Sequence, residues 1–144
     1  MEMESIYTFA AQSGGGVKVK KFFDLYYTFK KSVENNFKTE YSTDIKQLSI
    51  IFRVDGKFAA WEEKGINRMR LMKSKNYITI DIGITEDVLE LPESEIWKFV
   101  WSEFKKATNA MLDKLQKSKI DFNFSDFKND FDSFMESETK QVNR

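Results

Sequence analysis

The sequence contains no cysteine, no histidine and a single proline. Without cysteine there are no disulfides, no thiol nucleophile and no thiolate zinc site. Without histidine, Ser–His and Cys–His catalysis and imidazole metal ligation are excluded as well. No stretch approaches the ~20 apolar residues of a membrane helix. The densest run, Phe22 to Phe29, is short and broken by Asp24 and Thr28. The opening Met1-Glu2-Met3-Glu4 is acidic where a secretory signal carries a basic segment. These absences predict a soluble, cytoplasmic protein with no cofactor. Net charge is absent too: 23 Lys/Arg balance 23 Asp/Glu.

What is present is an ordinary globular mixture, 41% hydrophobic and 32% charged, with 14 phenylalanines in 144 residues. A chain of that length forms one domain and buries roughly two-thirds of its unfolded surface. We assign residues 1–138 to a single domain and 139–144 to a polar tail. The zero charge hides an asymmetry. Residues 1–80 carry 14 Lys/Arg and 9 Asp/Glu, net +5, and residues 81–144 carry 9 against 14, net −5. Between Ile120 and Glu138 six carboxylates face Lys128 alone.

Periodicity supplies the elements. Ile6 to Gln12 reads as a short strand, followed by a Ser13-Gly14-Gly15-Gly16 turn. Phe22, Tyr26, Phe29, Val33 and Phe37 recur at helical spacing and define a core face on a helix over 19–37. Residues 45–84 read as a four-strand antiparallel meander. Asp55-Gly56 is a strong two-residue hairpin cue and would set Phe52 against Ala59 and Ile50 against Trp61. A Lys75-Asn76 loop would set Leu71 against Ile80, Met69 against Ile82, and Arg70 against Asp81 on an outer face. Pro92 opens a long helix to about Lys117, with Glu93 and Glu95 at its positive end and Lys114 and Lys117 at its negative end. Ser125 reads as the N-cap of a last helix, about 126–136, in which Phe127, Phe131 and Phe134 share a face with Phe124. The expected fold is α+β, in the order β-α-β-β-β-β-α-α. It has a mainly antiparallel sheet of about five strands and helices mostly on one face.

The motifs that could carry chemistry fail in detail. The glycine turn lacks the Gly-Lys-Ser/Thr of a phosphate loop. Asp121-x-Asn123-x-Ser125 imitates the start of a calcium loop, but Asp126 stands where glycine is needed and Asp132 where glutamate is needed. Glu62 and Glu63 would point to opposite faces of a strand, and neither Asp81 nor Glu86-Asp87 has a motif partner. The predicted Arg70–Asp81 pairing and the balanced charge argue against nucleic acid. No enzyme emerges.

Two binding readings remain. A strand-rich middle followed by a long helix resembles helix-grip lipid-binding domains. That resemblance implies an apolar cavity between the sheet and the 92–117 helix, with Trp97 and Trp101 as candidate lining. The favoured reading rests on the last helix, which packs through phenylalanines and presents Asp126, Asp130, Asp132 and Glu136 as candidate partner-binding residues. With its size, its aromatic and charged composition, its acidic patch and its lack of catalytic motifs, the chain resembles the small cytoplasmic immunity proteins of bacterial polymorphic-toxin and contact-inhibition systems. The resemblance implies a non-catalytic protein that binds a cognate toxin domain one-to-one. A toxin with a basic surface would complement the acidic helix.

Overall fold

A computed structural model describes residues 7–13, 17–37, 47–54, 69–72, 77–84, 86–119 and 122–142. Strand β1 (Tyr7–Ser13) leads to helix α1 (Val17–Asn36), then to strands β2 (Gln47–Val54), β3 (Met69–Met72) and β4 (Tyr77–Gly83). A single helical turn α2 (Glu86–Leu89) precedes the long helix α3 (Glu93–Lys117) and the last helix α4 (Phe124–Val142).

Helix α1 forms where the apolar spacing predicts it. Phe22, Tyr26, Phe29, Val33 and Phe37 are all buried, while Asp24, Lys31 and Glu34 on the remaining circumference are exposed. Helix α3 starts immediately after Pro92, whose fixed φ suits a helix entrance. It buries Ile96, Val100, Trp101, Phe104, Ala107, Met111 and Leu115 as one stripe. It ends at Ser118, and Lys119 takes a positive φ of 58°. From that left-handed position the Lys119 N–H bonds back to the Gln116 carbonyl at 3.1 Å, closing the helix as a glycine usually does.

The sheet departs from the expected α+β fold with a mainly antiparallel, five-strand sheet. Helices of 20, 25 and 19 residues dominate, against strands of 7, 8, 4 and 7. The strand order is β1-β2-β4-β3. β1 pairs with β2 in parallel, β2 pairs with β4 in parallel, and only β3–β4 is antiparallel. Parallel neighbours need a long crossover, and α1 supplies it between β1 and β2. The Asp55-Gly56 cue misleads for a definite reason. Both edges of β2 are occupied, by β1 along Leu48–Val54 and by β4 along Gln47–Arg53. The expected Phe52–Ala59 and Ile50–Trp61 pairs therefore have no free edge to form on. Residues 55–68, Asp55-Gly56 among them, lie outside the described residues; β2 and β3 run in opposite directions with β4 between them.

The β3–β4 pairing exists, but it is two residues out of the expected register. Leu71 faces Ile78, Met69 faces Ile80 and Arg70 faces Thr79. A slip by an even number of residues preserves the alternation of faces and changes only the partner. Arg70 is thus not opposite Asp81, and Asp81, expected on an outer face, is fully buried. The Arg70–Asp81 register that spoke against nucleic acid is not the one observed.

The core lies between the sheet and the helices. Leu48, Ile50 and Phe52 of β2 are in register with Ile78, Ile80 and Ile82 of β4, and all six are buried. Phe52 meets Phe22 at 6.1 Å, Tyr26 at 5.6 Å and Phe29 at 6.0 Å, so α1 crosses this face. Phe29 then meets Trp101 at 4.9 Å and Phe104 at 5.3 Å, which brings α3 onto the same layer. The helix-grip reading needs a cavity under α3. That space is occupied by Phe22, Phe29, Phe52 and Phe104, each with no exposed surface. Among the described residues the polar cost of so aromatic a core falls on two side-chain atoms. The Tyr26 hydroxyl and the Trp101 indole N–H are buried without a hydrogen-bond partner, and burial raises the Tyr26 phenol well above its ordinary pKa.

Candidate functional site

The acidic helix α4 starts one residue pair earlier than expected. Asn123, not Ser125, is the cap. Its side-chain oxygen accepts the Asp126 backbone N–H at 3.2 Å, and its side-chain amide donates to an Asp126 carboxylate oxygen at 2.6 Å. The first bond is an ordinary N-cap, and the second ties the two side chains together across the first turn. Ser125 is exposed inside that turn. Replacing Asn123 by alanine removes the cap and is expected to cost about 1 kcal/mol in urea unfolding. A cost near zero would mean that the cap contributes nothing to α4. The helix also runs on through Val142, well past the expected end near 136.

Phenylalanine spacing determines which way α4 faces. Phe127, Phe131, Phe134 and Met135 are buried, with Phe124 half-buried. Phe37 at the end of α1 meets Phe127 at 5.7 Å, Phe131 at 6.0 Å and Phe134 at 5.0 Å. From α3, Phe104 meets Phe131 at 5.4 Å and Trp101 meets Phe134 at 5.9 Å. The helix is wedged between α1 and α3 mainly by these rings, so its opposite side is fixed towards solvent.

The four sequence-predicted acids, Asp126, Asp130, Asp132 and Glu136, are all exposed on that outward side. At 3.6 residues per turn they form two i, i+4 pairs, Asp126 with Asp130 and Asp132 with Glu136, on opposite flanks of the outward face. They do not all act alike. The Asp126 carboxylate accepts from the Asn123 side-chain amide. Asp132 pairs with Lys128 at 3.1 Å, and the same ammonium donates to the Asn109 side-chain oxygen of α3 at 2.7 Å.

The flanks carry two open grooves of similar size. One of about 440 Å³ runs between α3 and α4, with Asn109, Asp113 and Lys128 on its walls. The other, about 450 Å³, lies where the end of α1 meets α4, and includes Asn36, Phe37, Asp130, Ser133, Phe134 and Glu138. Glu138 was not among the predicted site residues, although it belongs to the acidic stretch. It follows Phe127, Phe131, Phe134 and Met135 on the packed face and is only 8% exposed. A carboxylate at a position where the helical period calls for an apolar residue is the signal that finds it.

The described residues do not bring the candidate acids together. Of the candidate acids, Asp81 is sealed within β4, Asp87 is exposed on α2, and Glu62-Glu63 lie outside the described residues, as does the glycine turn after Ser13. Among the described residues no cluster of three metal-ligating side chains occurs, and no helix is long and apolar enough to cross a membrane.

A sequence model of the family Immunity protein 44 matches residues 5–137. The chain belongs to that family. The match spans β1 through most of α4, so the aromatic core and the acidic helix both lie inside it. No curated protein and no solved structure matches the chain. Membership of the Immunity protein 44 family agrees with the resemblance drawn from size, composition and the acidic helix. It points to toxin neutralisation, to a protein toxin as partner, and to a class that is generally non-catalytic.

Proposed function

We propose that this member of the Immunity protein 44 family neutralises its cognate toxin in the cytoplasm by binding the toxin domain directly, one-to-one and without catalysis. In this reading the outward face of α4 forms part of the interface, and the toxin surface it meets is basic. One observation carries the reading. Asp126, Asp130, Asp132 and Glu136 are all exposed on a helix whose other side is clamped by aromatic rings from two neighbouring helices. A rigid element bearing charge of one sign steers an oppositely charged partner and costs little ordering entropy on contact.

The experiment is to look for a toxin domain encoded by a neighbouring gene and to co-express it with this protein. The expected result is protection of the cells, together with a complex whose sedimentation mass equals one copy of each chain. Protection without a stable complex would refute direct binding, and no protection would refute immunity itself.

A further inference from the structure

We propose that Glu138 and the groove beside it hold an arginine side chain of the toxin, an anchor distinct from the exposed acids of α4. The proposal rests on the immunity reading and adds a site to it.

Glu138 is more than nine-tenths buried. Its one hydrogen bond comes from the Ser32 hydroxyl of α1, at a long 3.4 Å, and among the described residues no cation pairs with it. A carboxylate removed from water with one weak donor is an expensive arrangement, and the cost is met when a cation arrives with further donors. Every other acid shown paired has a local lysine three or four residues away on its own helix, as Glu34 has Lys30 and Asp113 has Lys117. Glu138 lacks one: the residues three and four before it are Met135 and Phe134.

The groove suits a guanidinium better than an ammonium. Phe37 and Phe134 border it, packed on one another at 5.0 Å and more than nine-tenths buried, so they offer a narrow apolar edge for a side-chain stem. A planar guanidinium offers a fork of donors to a carboxylate, where an ammonium is a point charge. Asn36 and Ser133 supply acceptors for the remaining N–H groups. Asp130, two helical turns before Glu138 and so about 12 Å along the axis, places a second negative charge at the far end. The volume of about 450 Å³ accommodates one long side chain with its flanking backbone.

The test has two arms. In the first, arginine amide is titrated into the isolated protein and amide shifts are followed by NMR. Saturable shifts at Asn36, Ser133, Ser137 and Glu138 are expected, and they should vanish in Glu138→Gln while melting is unchanged. Shifts spread over all the acids, or shifts that survive in Glu138→Gln, would overturn the site. The second arm measures toxin-domain affinity. Glu138→Gln should weaken it tenfold or more through faster dissociation. Ser137→Lys, which sets a cation at the exposed rim without touching the core, should do the same. Equal affinity for wild type and both variants refutes the anchor and leaves immunity standing. If the wild type binds no toxin, the immunity reading and the toxin anchor fail together, and the first arm then decides whether the groove is an arginine site at all.

Discussion

Truncating Phe29 to alanine is expected to cost about 3–5 kcal/mol, the range for a fully buried phenylalanine. The site explains why the loss belongs at the upper end. Phe29 has no exposed surface and contacts three rings on two other elements edge-on: Phe52 of β2 at 6.0 Å, and Trp101 at 4.9 Å and Phe104 at 5.3 Å on α3. Edge-to-face pairs contribute about 0.5–1.5 kcal/mol beyond the area they bury. The cavity has rigid walls, because those partners are themselves fixed by Phe22, Trp97 and Phe131. Against a total stability of about 5–15 kcal/mol, the variant should melt roughly 10–20 °C lower. Tyr27, two positions earlier and 55% exposed, provides the control. Its truncation should change stability by less than about 0.5 kcal/mol. Thermal and urea unfolding of both variants measures the contrast, and a Phe29 loss below about 1 kcal/mol would show that α1, β2 and α3 are not tied together at this ring.

That junction was half legible in the sequence. The face of α1 follows from residue spacing, because a helix writes its packing surface into local periodicity. The same holds for α3, where the stripe from Ile96 to Leu115 is buried as its period requires. Sheet topology is not written locally. β1 and β2 pair across more than thirty residues of chain, and nothing in Tyr7–Ser13 names Leu48–Val54 as its neighbour. The near-continuous apolar run Leu48-Ser49-Ile50-Ile51-Phe52 is a sign of a central strand, and central strands have no edge for a hairpin partner. A tight-turn dipeptide outweighed that sign in the sequence reading because turn chemistry is local and strand order is not. The two-residue slip of β3 has the same origin. Alternation defines the face of Met69 and Leu71, but it is blind to shifts by an even number of residues.

The candidate site divides in a similar way. Exposure of the four acids follows from the phenylalanine spacing of α4, which fixes its inner side. Their individual circumstances depend on neighbours in space: Asn109 of α3 holds the lysine that pairs with Asp132, and Ser32 of α1 reaches Glu138. Composition registered Glu138 as one more acid at the end of an acidic stretch. Burial separates it from the rest.

Replacing Asp126, Asp130, Asp132 and Glu136 together by Asn and Gln should slow association with a basic toxin domain by about 10–1,000-fold at low ionic strength. Exposed charges act mainly on the encounter, before contacts form, so the dissociation rate should change little. The wild-type association rate should fall steeply as salt rises, because the screening length shrinks from about 30 Å at 0.01 M to about 8 Å at 0.15 M. The variant should show a nearly flat dependence, and the two curves should converge at high salt. Folding does not confound the measurement. The N-cap bond from the residue-126 backbone N–H to the Asn123 side-chain oxygen survives in Asp126→Asn, and the Lys128–Asp132 pair is a partly exposed i, i+4 contact worth about 0.3–0.5 kcal/mol. The comparison with Glu138→Gln makes the prediction specific. Solvated acids should set how fast the partners meet, and the buried carboxylate should set how long they stay together. Stopped-flow association over a salt series, with dissociation read by competition, separates the two. An unchanged association rate with an unchanged salt slope would remove the outward face of α4 from the interface.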